Sequence, residues 1–547
     1  MATTDTVASE ASCDSDCEME ENGEATEEVD LQAEDEPHND NKGYRPDDAP
    51  AGGAGPSELG GTLCPAPRVP LPHLSSCCAS LGNDDQTGSQ YSSLYWCRKN
   101  QLGALALRAA LARWEGRGAG AQVRATTDAG IAANAEDPLD VVVGIVYRRH
   151  PKEVLEVRAQ CAHPVPLEEA RRDVDPSEDW IKLEDPAGRV ALRLSERCES
   201  SAKRLLMSGL VVAVVGRVSP LDSSVSQTRM HRNDAGTMEV LDVVAPGMPP
   251  PLPRSGFGST TQSQTAPSGV LLLSGVVATA DEATEEATDE TPETRRMIEY
   301  VKEHASSLIR VVVVGGIPLR VAAEADGATG ASCPERERRQ VMEDERRLRL
   351  LDEVLASLGE YVRVDYVPGR LDPTSALLPQ PPVHSSLLPK SKRTGNVRMC
   401  ANPYCETIGG TTVVGESGSA LDDLSAQTPT DDDDPFLEEV DDDSSDAREA
   451  AHRLSLLERT LEGRHVAPTC PGTLHGRALL QRDVLVLEHL PHVYFSANQR
   501  TFAAAQINHS DDRTNAVCTT ILVPRLAERG SGVTLCTNTR SCREVEW

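Results

Sequence analysis

The first feature of the chain is a block of short apolar segments between residues 141 and 244. Turn residues separate the segments, and no helical period lies between them, so five strands are predicted at 141–147, 180–185, 189–194, 210–218 and 238–244. This arrangement is typical of a small Greek-key barrel such as an OB-fold, with another small β-sandwich as the alternative. The second and third segments predict a hairpin, and Gly216 predicts a bulge or bend in the fourth.

The hydrophobic pattern is helical before this block and mixed after it. Apolar residues at three- and four-residue spacing predict an amphipathic helix over 91–114. Later strands are hydrophobic on both faces and alternate with helices, which predicts an α/β sandwich in which helices cover a sheet. The predicted helices are 293–309, 334–358 and 448–461. The predicted strands are 270–275, 311–316, 362–367, 397–400, 407–408, 411–414, 484–487, 493–496, 518–524 and 532–535.

Composition divides the chain into four regions with one insertion. Residues 1–88 are rich in Glu, Asp, Gly, Pro and Ser and are predicted to be a disordered acidic tail. The predicted regions that follow are a helix and OB-fold domain at 89–250, a linker at 251–268 and the α/β domain at 269–547. A disordered acidic insertion is predicted at about 420–447, because it contains the run Asp431–Asp434 and further acidic residues.

Charge and cysteine usage narrow the functional classes. The formal net charge is −32, which disfavours strong autonomous binding to nucleic acid. None of the 15 cysteines is in C-x-x-C spacing, so a zinc ribbon is not indicated. The sequence has no signal peptide and no apolar run near the roughly 20 residues of a membrane span, which predicts a reducing compartment and no membrane partner.

The most informative segment is 362–384, where a buried strand ends in a loop with the skeleton of a catalytic loop. A metal-dependent phosphoesterase places an Asn-His pair in such a loop, because the metal needs imidazole and oxygen ligands there. Here the loop contains Pro368, Gly369, Asp372 and Pro373 instead. The segment therefore indicates the fold of an enzyme with a different function.

Four segments resemble the B subunits of eukaryotic DNA polymerases alpha, delta and epsilon, and those of delta most closely. The motif residues of the loop at 368–384 and of the segment after it are Pro368, Gly369, Asp372, Pro373, Pro379, Gln380, Pro382, Asn402, Pro403 and Tyr404. Those of the last two segments are Arg464, His465, Pro468, Thr469 and His492.

The resemblance implies an OB-fold joined to a calcineurin-like phosphoesterase domain that has lost its metals. Degenerate former metal-site positions are then Ser274, Gly316, Gly369, Asp372, His384 and Asn498. No catalytic residue and no metal ligand is expected. Asp372 is expected to cap the turn before Pro373, since Asp-Pro favours turn initiation. His384 and His465 are not expected to be ligands.

The resemblance also implies partners and a location. The chain is expected to be an accessory scaffold in DNA replication and repair that binds the C-terminal metal-binding domain of the polymerase delta catalytic subunit. A third subunit, which binds the sliding clamp, would attach to a further surface. Mg²⁺ and an iron–sulfur cluster are expected in the catalytic partner and no cofactor in this chain. Contact with DNA is expected to be indirect or weak, and the location nuclear, with 389–393 as a basic import candidate.

Two alternatives remain open at the level of sequence. One is an active metal-dependent phosphodiesterase or 3′-exonuclease of the same fold, against which the missing ligands at Ser274, Gly316 and Gly369 argue. The other is the B subunit of polymerase alpha or epsilon. The pattern formed by Leu378, Pro379, Gln380, Pro382 and His384 favours delta.

Overall fold

A computed structural model describes the part of the chain from Ser93 to Trp547, with gaps. The described residues are 93–115, 122–123, 139–148, 181–219, 234–252, 267–276, 291–316, 334–428, 445–477, 482–511 and 514–547. All of them belong to one compact unit, residues 67–547. The tail predicted at 1–88 and most of the linker predicted at 251–268 lie outside the described residues. No helix within the described ranges is long and apolar enough to cross a membrane.

A barrel forms the first part of the described chain. Its elements are α1 (Ser93–Glu115), β1 (Gln122–Val123), β2 (Asp140–Arg148), β3 (Ile181–Asp185), β4 (Gly188–Leu194), α2 (Ser200–Lys203), β5 (Val211–Ser219) and β6 (Asp234–Val244). Strands pair in the order β2-β3-β4-β6-β5, and β5 pairs back to β2, so five strands close the barrel. The β4–β6 pair is parallel, as the Greek-key connection of an OB-fold requires.

A mixed α/β region follows the barrel. Its first elements are β7 (Gly269–Ser274), α3 (Pro292–His304), β8 (Leu308–Val314), α4 (Pro334–Gly359), β9 (Val364–Val367), α5 (Pro389–Thr394) and β10 (Val397–Met399). The remaining elements are β11 (Tyr404–Ile408), β12 (Thr411–Glu416), α6 (Ser419–Gln427), α7 (Ser445–Glu462), β13 (Val493–Gln499), β14 (Ala503–Asp511), β15 (Thr514–Pro524), α8 (Leu526–Arg529), β16 (Ser531–Cys536) and β17 (Cys542–Glu546).

Two sheets face each other in this region. The first has the order β10-β9-β8-β7-β16-β17 and the second β11-β12-β13-β15-β14. Successive residues of β7 point to opposite faces, so Leu271 and Leu273 pack towards α3 and α4, while Val270 and Leu272 pack towards the second sheet. The order of layers is therefore helices, sheet, sheet, helices, and strands that are buried on both faces explain the continuous apolar runs.

The barrel and the sandwich share one hydrophobic core. Val212 and Met238 of the barrel belong to the same buried cluster as Leu421 of α6, Leu457 of α7 and Tyr494 of β13. Helix α1 also contacts both parts, because its Ala106 packs on the barrel and its Leu94 packs on loops of the sandwich. The two parts are consequently not independent bodies joined by a free linker.

The structure confirms most predicted elements and corrects several boundaries. The bulge predicted at Gly216 is present as a register shift between β5 and β6. The helix predicted over 293–309 ends at His304, because residues from Leu308 onward pair with β7 and β9 in the sheet. The strand predicted at 484–487 is a loop that makes a single bridge, between Val486 and His465. Strands β14 and β17 were not predicted.

The acidic insertion predicted from about residue 420 is wrong at its start. Residues Ser419–Gln427 form α6, whose Leu421 and Leu424 are buried in the shared core. The error arose because Asp422 and Asp423 extend the acidic run towards the N-terminus, although Leu421 and Leu424 have helical spacing. Asp423 is itself buried and accepts a hydrogen bond from Thr473 Oγ1. The end of the predicted insertion also overlaps α7, which begins at Ser445.

Candidate functional site at the strand ends

Five of the six predicted former metal-site positions meet at one edge of the sandwich. Ser274 ends β7, Gly316 follows β8, and Gly369 and Asp372 lie in the loop after β9. Strands β7, β8 and β9 are parallel neighbours, so their carboxyl ends lie at the same edge. Asn498 lies in β13 of the second sheet and reaches the same point. The topology therefore places a site where the family's metal centre was expected.

Asn498 links the ends of both sheets. Its backbone N–H donates to Ser274 Oγ at 3.0 Å, and its side-chain Nδ2 donates to the Ser417 carbonyl oxygen at 2.8 Å. Ser274 Oγ in turn donates to the Pro524 carbonyl oxygen at 2.8 Å. The φ angle of Asn498 is 56°, a left-handed conformation that asparagine adopts more readily than most residues. Ser274 and Asn498 thus form hydrogen bonds to each other and to neighbouring backbone.

Asp372 links the ends of β8 and β9. Its Oδ2 accepts hydrogen bonds from the backbone N–H of Gly369 at 2.6 Å and of Gly316 at 3.2 Å. The Asp372 side chain is buried, and burial raises its pKa to about 6, against hydrogen bonds from Tyr366, Gly369 and Gly316 that lower it. The predicted turn cap at Asp372 is confirmed, and the contact with Gly316 adds a link between two loops.

Two amide side chains and Ser417 join these halves. Gln380 donates to the Gly369 carbonyl oxygen at 2.9 Å and accepts from Asn402 Nδ2 at 3.1 Å. Asn402 Nδ2 also donates to Ser417 Oγ at 2.9 Å. We call the whole set the strand-end network; its members are Ser274, Gly316, Gly369, Asp372, Gln380, Asn402, Ser417 and Asn498. The family-motif residues Gln380 and Asn402 therefore support the loops of the site.

Neighbouring side-chain and backbone atoms fill the space beside two of the predicted former ligand positions. A Cβ atom at Gly316 would lie 2.5 Å from Leu351 Cδ1 and 2.9 Å from the Tyr366 hydroxyl oxygen. A Cβ atom at Gly369 would lie 2.9 Å from the Gly315 Cα. Real Cβ atoms do not approach other heavy atoms this closely, so neither position accommodates an aspartate or asparagine side chain without movement of its neighbours.

The residues at this edge do not fit a metal centre. Within the described ranges, no group of three or more His, Cys, Asp or Glu side chains converges to hold a metal ion. His384 lies apart from the network on an exposed loop, where its Nδ1 pairs with Ser386 Oγ at 2.6 Å. A dinuclear phosphoesterase centre needs several convergent oxygen and nitrogen ligands. The edge instead carries the single carboxylate of Asp372, which bonds to backbone N–H groups, and amide and hydroxyl groups that bond to one another and to the loops.

A second cluster, which the sequence did not predict, fixes the barrel against the sandwich. Arg98 of α1 is fully buried and donates to the carbonyl oxygens of Gly209, Pro468 and Cys470 and to Asp483 Oδ2. Arg98 lies four residues from both Leu94 and Leu102, so the helical spacing places it on the apolar face of α1. This spacing was the one sign in the sequence that Arg98 is buried.

His465 completes this cluster, which we call the arginine latch (Arg98, His465 and Asp483). His465 Nε2 lies 2.8 Å from Asp483 Oδ2, and its Nδ1 accepts from the Ala467 N–H. Burial and the nearby Arg98 lower the pKa of His465 to about 4, against the opposing effect of Asp483. Burial alone would raise the pKa of Asp483, but His465 and Arg98 hold it below its ordinary value. The motif residue His465 is therefore a structural, neutral imidazole.

The remaining motif residues also have structural contacts. Arg464 donates to the carbonyl oxygens of Gly247 and Met248, both at 2.7 Å, and so reaches the end of the barrel domain. The Tyr404 hydroxyl donates to Asp365 Oδ2 at 2.7 Å. His492 Nδ1 accepts from the Thr412 N–H at 3.0 Å. Three motif segments contain cis peptide bonds, which precede Pro379, Pro403 and Pro471. Pro382 and Thr469 lie in the same loops.

The basic segment 389–393 forms most of helix α5. Lys390, Lys392 and Arg393 are exposed, while Ser391 is buried and bonded to Asp352 of α4. Asp352 also accepts from the Lys390 N–H at 2.8 Å. The segment is thus a folded helix anchored on α4, and its role in nuclear import stays a prediction.

Comparisons with known families match both parts of the chain. The family of the alpha/epsilon B subunits of DNA polymerase matches residues 270–504, and a DNA polymerase delta subunit OB-fold domain matches residues 90–223. The two matches correspond to the sandwich with the strand-end network and to the barrel with α1. Together they cover well over half of the chain.

Relatives from plants and yeast are similar over most of their length. The DNA polymerase delta small subunit of Arabidopsis thaliana is 24% identical over 84% of this chain and 91% of the relative. That of Saccharomyces cerevisiae is 25% identical over 76% of this chain and 81% of the relative. DNA polymerase delta subunit 2 of Drosophila melanogaster is 29% identical over 45% of this chain and 51% of the relative.

A solved archaeal phosphodiesterase matches 51% of this chain and 98% of its own length, at 10% identity. Its TM-score of 0.23 is too low to support an argument about the fold. The relatives named above are small subunits of a polymerase, which agrees with a chain that is not itself catalytic. With both parts of the chain matched, this protein is similar along most of its length to the B subunits of DNA polymerases, and among the relatives named here to the small subunits of DNA polymerase delta.

Proposed function

We propose that the chain is the non-catalytic scaffold subunit of replicative DNA polymerase delta and acts in the nucleus in replication and repair synthesis. It binds the C-terminal metal-binding domain of the catalytic subunit and a third subunit that binds the sliding clamp. A rigid connection raises the effective concentration of the clamp-binding subunit near the polymerase. Contact with DNA through this chain is indirect or weak.

The strand-end network is the observation that carries the proposal. Two facing sheets between helices, with the network at the carboxyl ends of β7, β8 and β9, support a calcineurin-like phosphoesterase fold. Hydrolysis in that fold needs metal ions that polarise the phosphate and activate water. Here a side chain at Gly316 or Gly369 would require its neighbours to move, and side chains such as Asn498 bond to the loops instead. Selection for binding rather than for hydrolysis accounts for this arrangement.

The cofactors of the assembly belong to other chains under this proposal. Nucleotidyl transfer needs Mg²⁺ held by carboxylates, and we place both the Mg²⁺ and the iron–sulfur cluster in the catalytic subunit. The chain described here supplies a rigid platform, because the barrel and the sandwich share one core and are fixed by the arginine latch.

Co-expression of the full-length chain with candidate catalytic subunits tests the assignment. We expect the polymerase delta catalytic subunit to co-purify in equal amounts, and a third subunit to bind only when this chain is present. Catalytic chains of the alpha and epsilon type, each expressed in the same way, serve as matched controls. Recovery of one of those chains in place of the delta chain would overturn the assignment.

Hydrolysis of a generic phosphodiester by the purified chain tests the loss of catalysis. We expect no turnover with Mn²⁺ above that of a buffer blank, because the described residues form no cluster of metal ligands. Turnover that a chelator abolishes, and that stays with the chain through two different purifications, would support the phosphodiesterase alternative.

A further inference from the structure

Strand β14 has a long edge that no described strand covers. It pairs with β15 at nine consecutive positions without a register shift and is the last strand of its sheet. Within the described residues, its other edge therefore presents N–H and C=O groups without a strand partner. Such an edge is a template on which another chain can add a strand.

The four edge strands of the two sandwich sheets differ in how well they are protected against pairing with another chain. Proteins shield free edges by making the strands short or by placing charges on them. The three other edge strands follow this rule, with three residues in β10 and five each in β11 and β17. Their charged residues are Arg398 in β10, Glu406 in β11, and Arg543, Glu544 and Glu546 in β17. By contrast, β14 has nine residues, and its one carboxylate, Asp511, is at its last position; residues 503–510 contain no Asp, Glu, Lys or Arg and one histidine, His509.

One face of β14 packs on the shared core, and the other face is exposed. Ile507 is 5% exposed and belongs to the shared core, and Ala503 and Ala505 pack against that core. Gln506 and Asn508 alternate with them and are exposed. The strand is therefore firmly attached to the sandwich, and a strand laid beside residues 503–510 would bury no carboxylate, ammonium or guanidinium group of β14.

The overall charge argues against a second copy of this chain as the occupant. Each copy carries a formal net charge of −32, so two copies in contact would repel each other. The relatives of the chain are subunits of a larger assembly, so other polypeptides are the natural occupants. An edge whose residues 503–510 carry no carboxylate, ammonium or guanidinium group favours recognition through main-chain hydrogen bonds, with small pockets for alternate side chains.

We propose that β14 binds an extended, uncharged segment of another subunit of the polymerase, which adds to the five-stranded sheet as a sixth strand. This inference rests on the proposed function for the identity of the assembly. It adds a surface and a mode of binding to it: strand addition at residues 503–510.

Site-specific photocrosslinking tests the location. A photoreactive amino acid replaces Gln506 in the full-length chain, co-expressed with the catalytic and third subunits. We expect a crosslink from position 506 to one of those subunits. A chain with the same amino acid at Glu544, on the charged edge of β17, is the matched control and should give none. A crosslink between two copies of this chain, or equal crosslinking from both positions, would overturn the proposal.

Hydrogen exchange tests the mode of binding. Strand addition should slow exchange of alternate amides of β14 at least about tenfold in the complex, because those N–H groups then bond to the added strand. Protection of the same amides in the isolated chain would show that another part of this chain already covers the edge, and would refute the proposal. An intact complex with unprotected β14 amides would refute strand addition and leave the scaffold function standing. If the subunits did not assemble at all, both strand addition and the scaffold function would be refuted.

A charged edge should weaken the contact. The double variant Gln506→Lys/Asn508→Lys should reduce retention of the crosslinked subunit roughly tenfold, since lysines on an edge strand oppose strand addition. Both side chains are exposed, so the thermal unfolding of the free chain should stay close to that of the unmodified protein. Unchanged retention in a variant that folds normally would contradict the proposal. Glu544→Lys on β17 provides the control for added positive charge.

Discussion

At the scale of single residues, the site is defined by the residues at the predicted former ligand positions. Ser274 and Asn498 carry polar groups of modest size that bond to each other. Gly316 and Gly369 have no side chain, and Leu351, Tyr366 and backbone atoms lie where one would extend. The sequence shows that these two positions are glycines, but not what fills the space beside them, because Leu351 and Tyr366 are 35 and 50 residues from Gly316 along the chain, and Gly315 is 54 residues from Gly369.

Restoring an aspartate at Gly316 should destabilise the protein without restoring metal binding. The new Cβ would lie 2.5 Å from Leu351 Cδ1, and such overpacking costs about 1–3 kcal/mol. Thermal unfolding and Mn²⁺ titration calorimetry of Gly316→Asp measure both effects. Gly395→Asn is the matched control, because no atom lies within 4 Å of the added Cβ and asparagine tolerates the φ of 69°. A Gly316→Asp variant of normal stability that binds Mn²⁺ would contradict the close packing beside Gly316.

Glu416 should make the stability depend on pH. Its carboxylate accepts from Ser496 Oγ and from the N–H groups of Gly418 and Ala420, and burial raises its pKa to about 7 despite these bonds. An acid whose pKa is raised on folding stabilises the folded state below its unfolded pKa, near 4.5, and loses this contribution as pH rises to about 7.

The variant Glu416→Gln isolates this effect. Glutamine can keep the three hydrogen bonds without a charge, so the stability of the unmodified protein relative to Glu416→Gln should fall between pH 4.5 and 7 and then stay constant. Urea unfolding at several pH values measures the difference. A difference that does not change with pH would rule out Glu416 as the titrating group.

At the scale of elements, α1 is held by a buried charged cluster as well as by apolar contacts. Its Ala106 and Ala110 pack on the barrel, while Arg98 bonds to loops of the sandwich. The amphipathic helix was predictable from its spacing. The partner of Arg98 was not, because Asp483 lies 385 residues away along the chain.

Removing Arg98 should be costly. Arg98→Met leaves Asp483 buried without its cation, which typically costs about 3–5 kcal/mol. Arg349→Met on α4 is the control, because both side chains of the Arg349–Glu345 ion pair are exposed, and such pairs contribute about 0–1 kcal/mol. Equilibrium unfolding in denaturant measures both variants. Equal, small losses would show that the latch is not a main support of the interface. A further Asp483→Leu change should recover part of the loss of Arg98→Met.

At the scale of the whole molecule, barrel and sandwich should unfold as one cooperative unit. A single buried cluster contains Val212 and Met238 of the barrel and Leu421 and Leu457 of the sandwich. Differential scanning calorimetry of the full-length chain should therefore show one transition for the folded part. A fragment of residues 89–250 expressed alone should show exposed apolar surface and dispersed unfolding. Two separate transitions in the full-length chain, with a folded fragment, would contradict this prediction.

The sequence by itself determined the local features of this protein. Apolar spacing predicts α1 and α4, and alternation with turn residues predicts the barrel strands. The strand followed by Pro368 and Gly369 predicts a loop without the Asn-His pair of a metal-dependent phosphoesterase. These features depend on residues close together along the chain. They therefore follow from steric and hydrophobic preferences that short segments carry with them.

Only the tertiary structure decided which distant residues meet. It joined Asn498 to Ser274, closed the space beside Gly316 with Leu351, and paired Arg98 with Asp483. It also placed β14 at an edge, which its sequence alone did not reveal. These contacts depend on how whole elements pack, and burial then sets the strength and pKa of each polar group. No local pattern encodes that information.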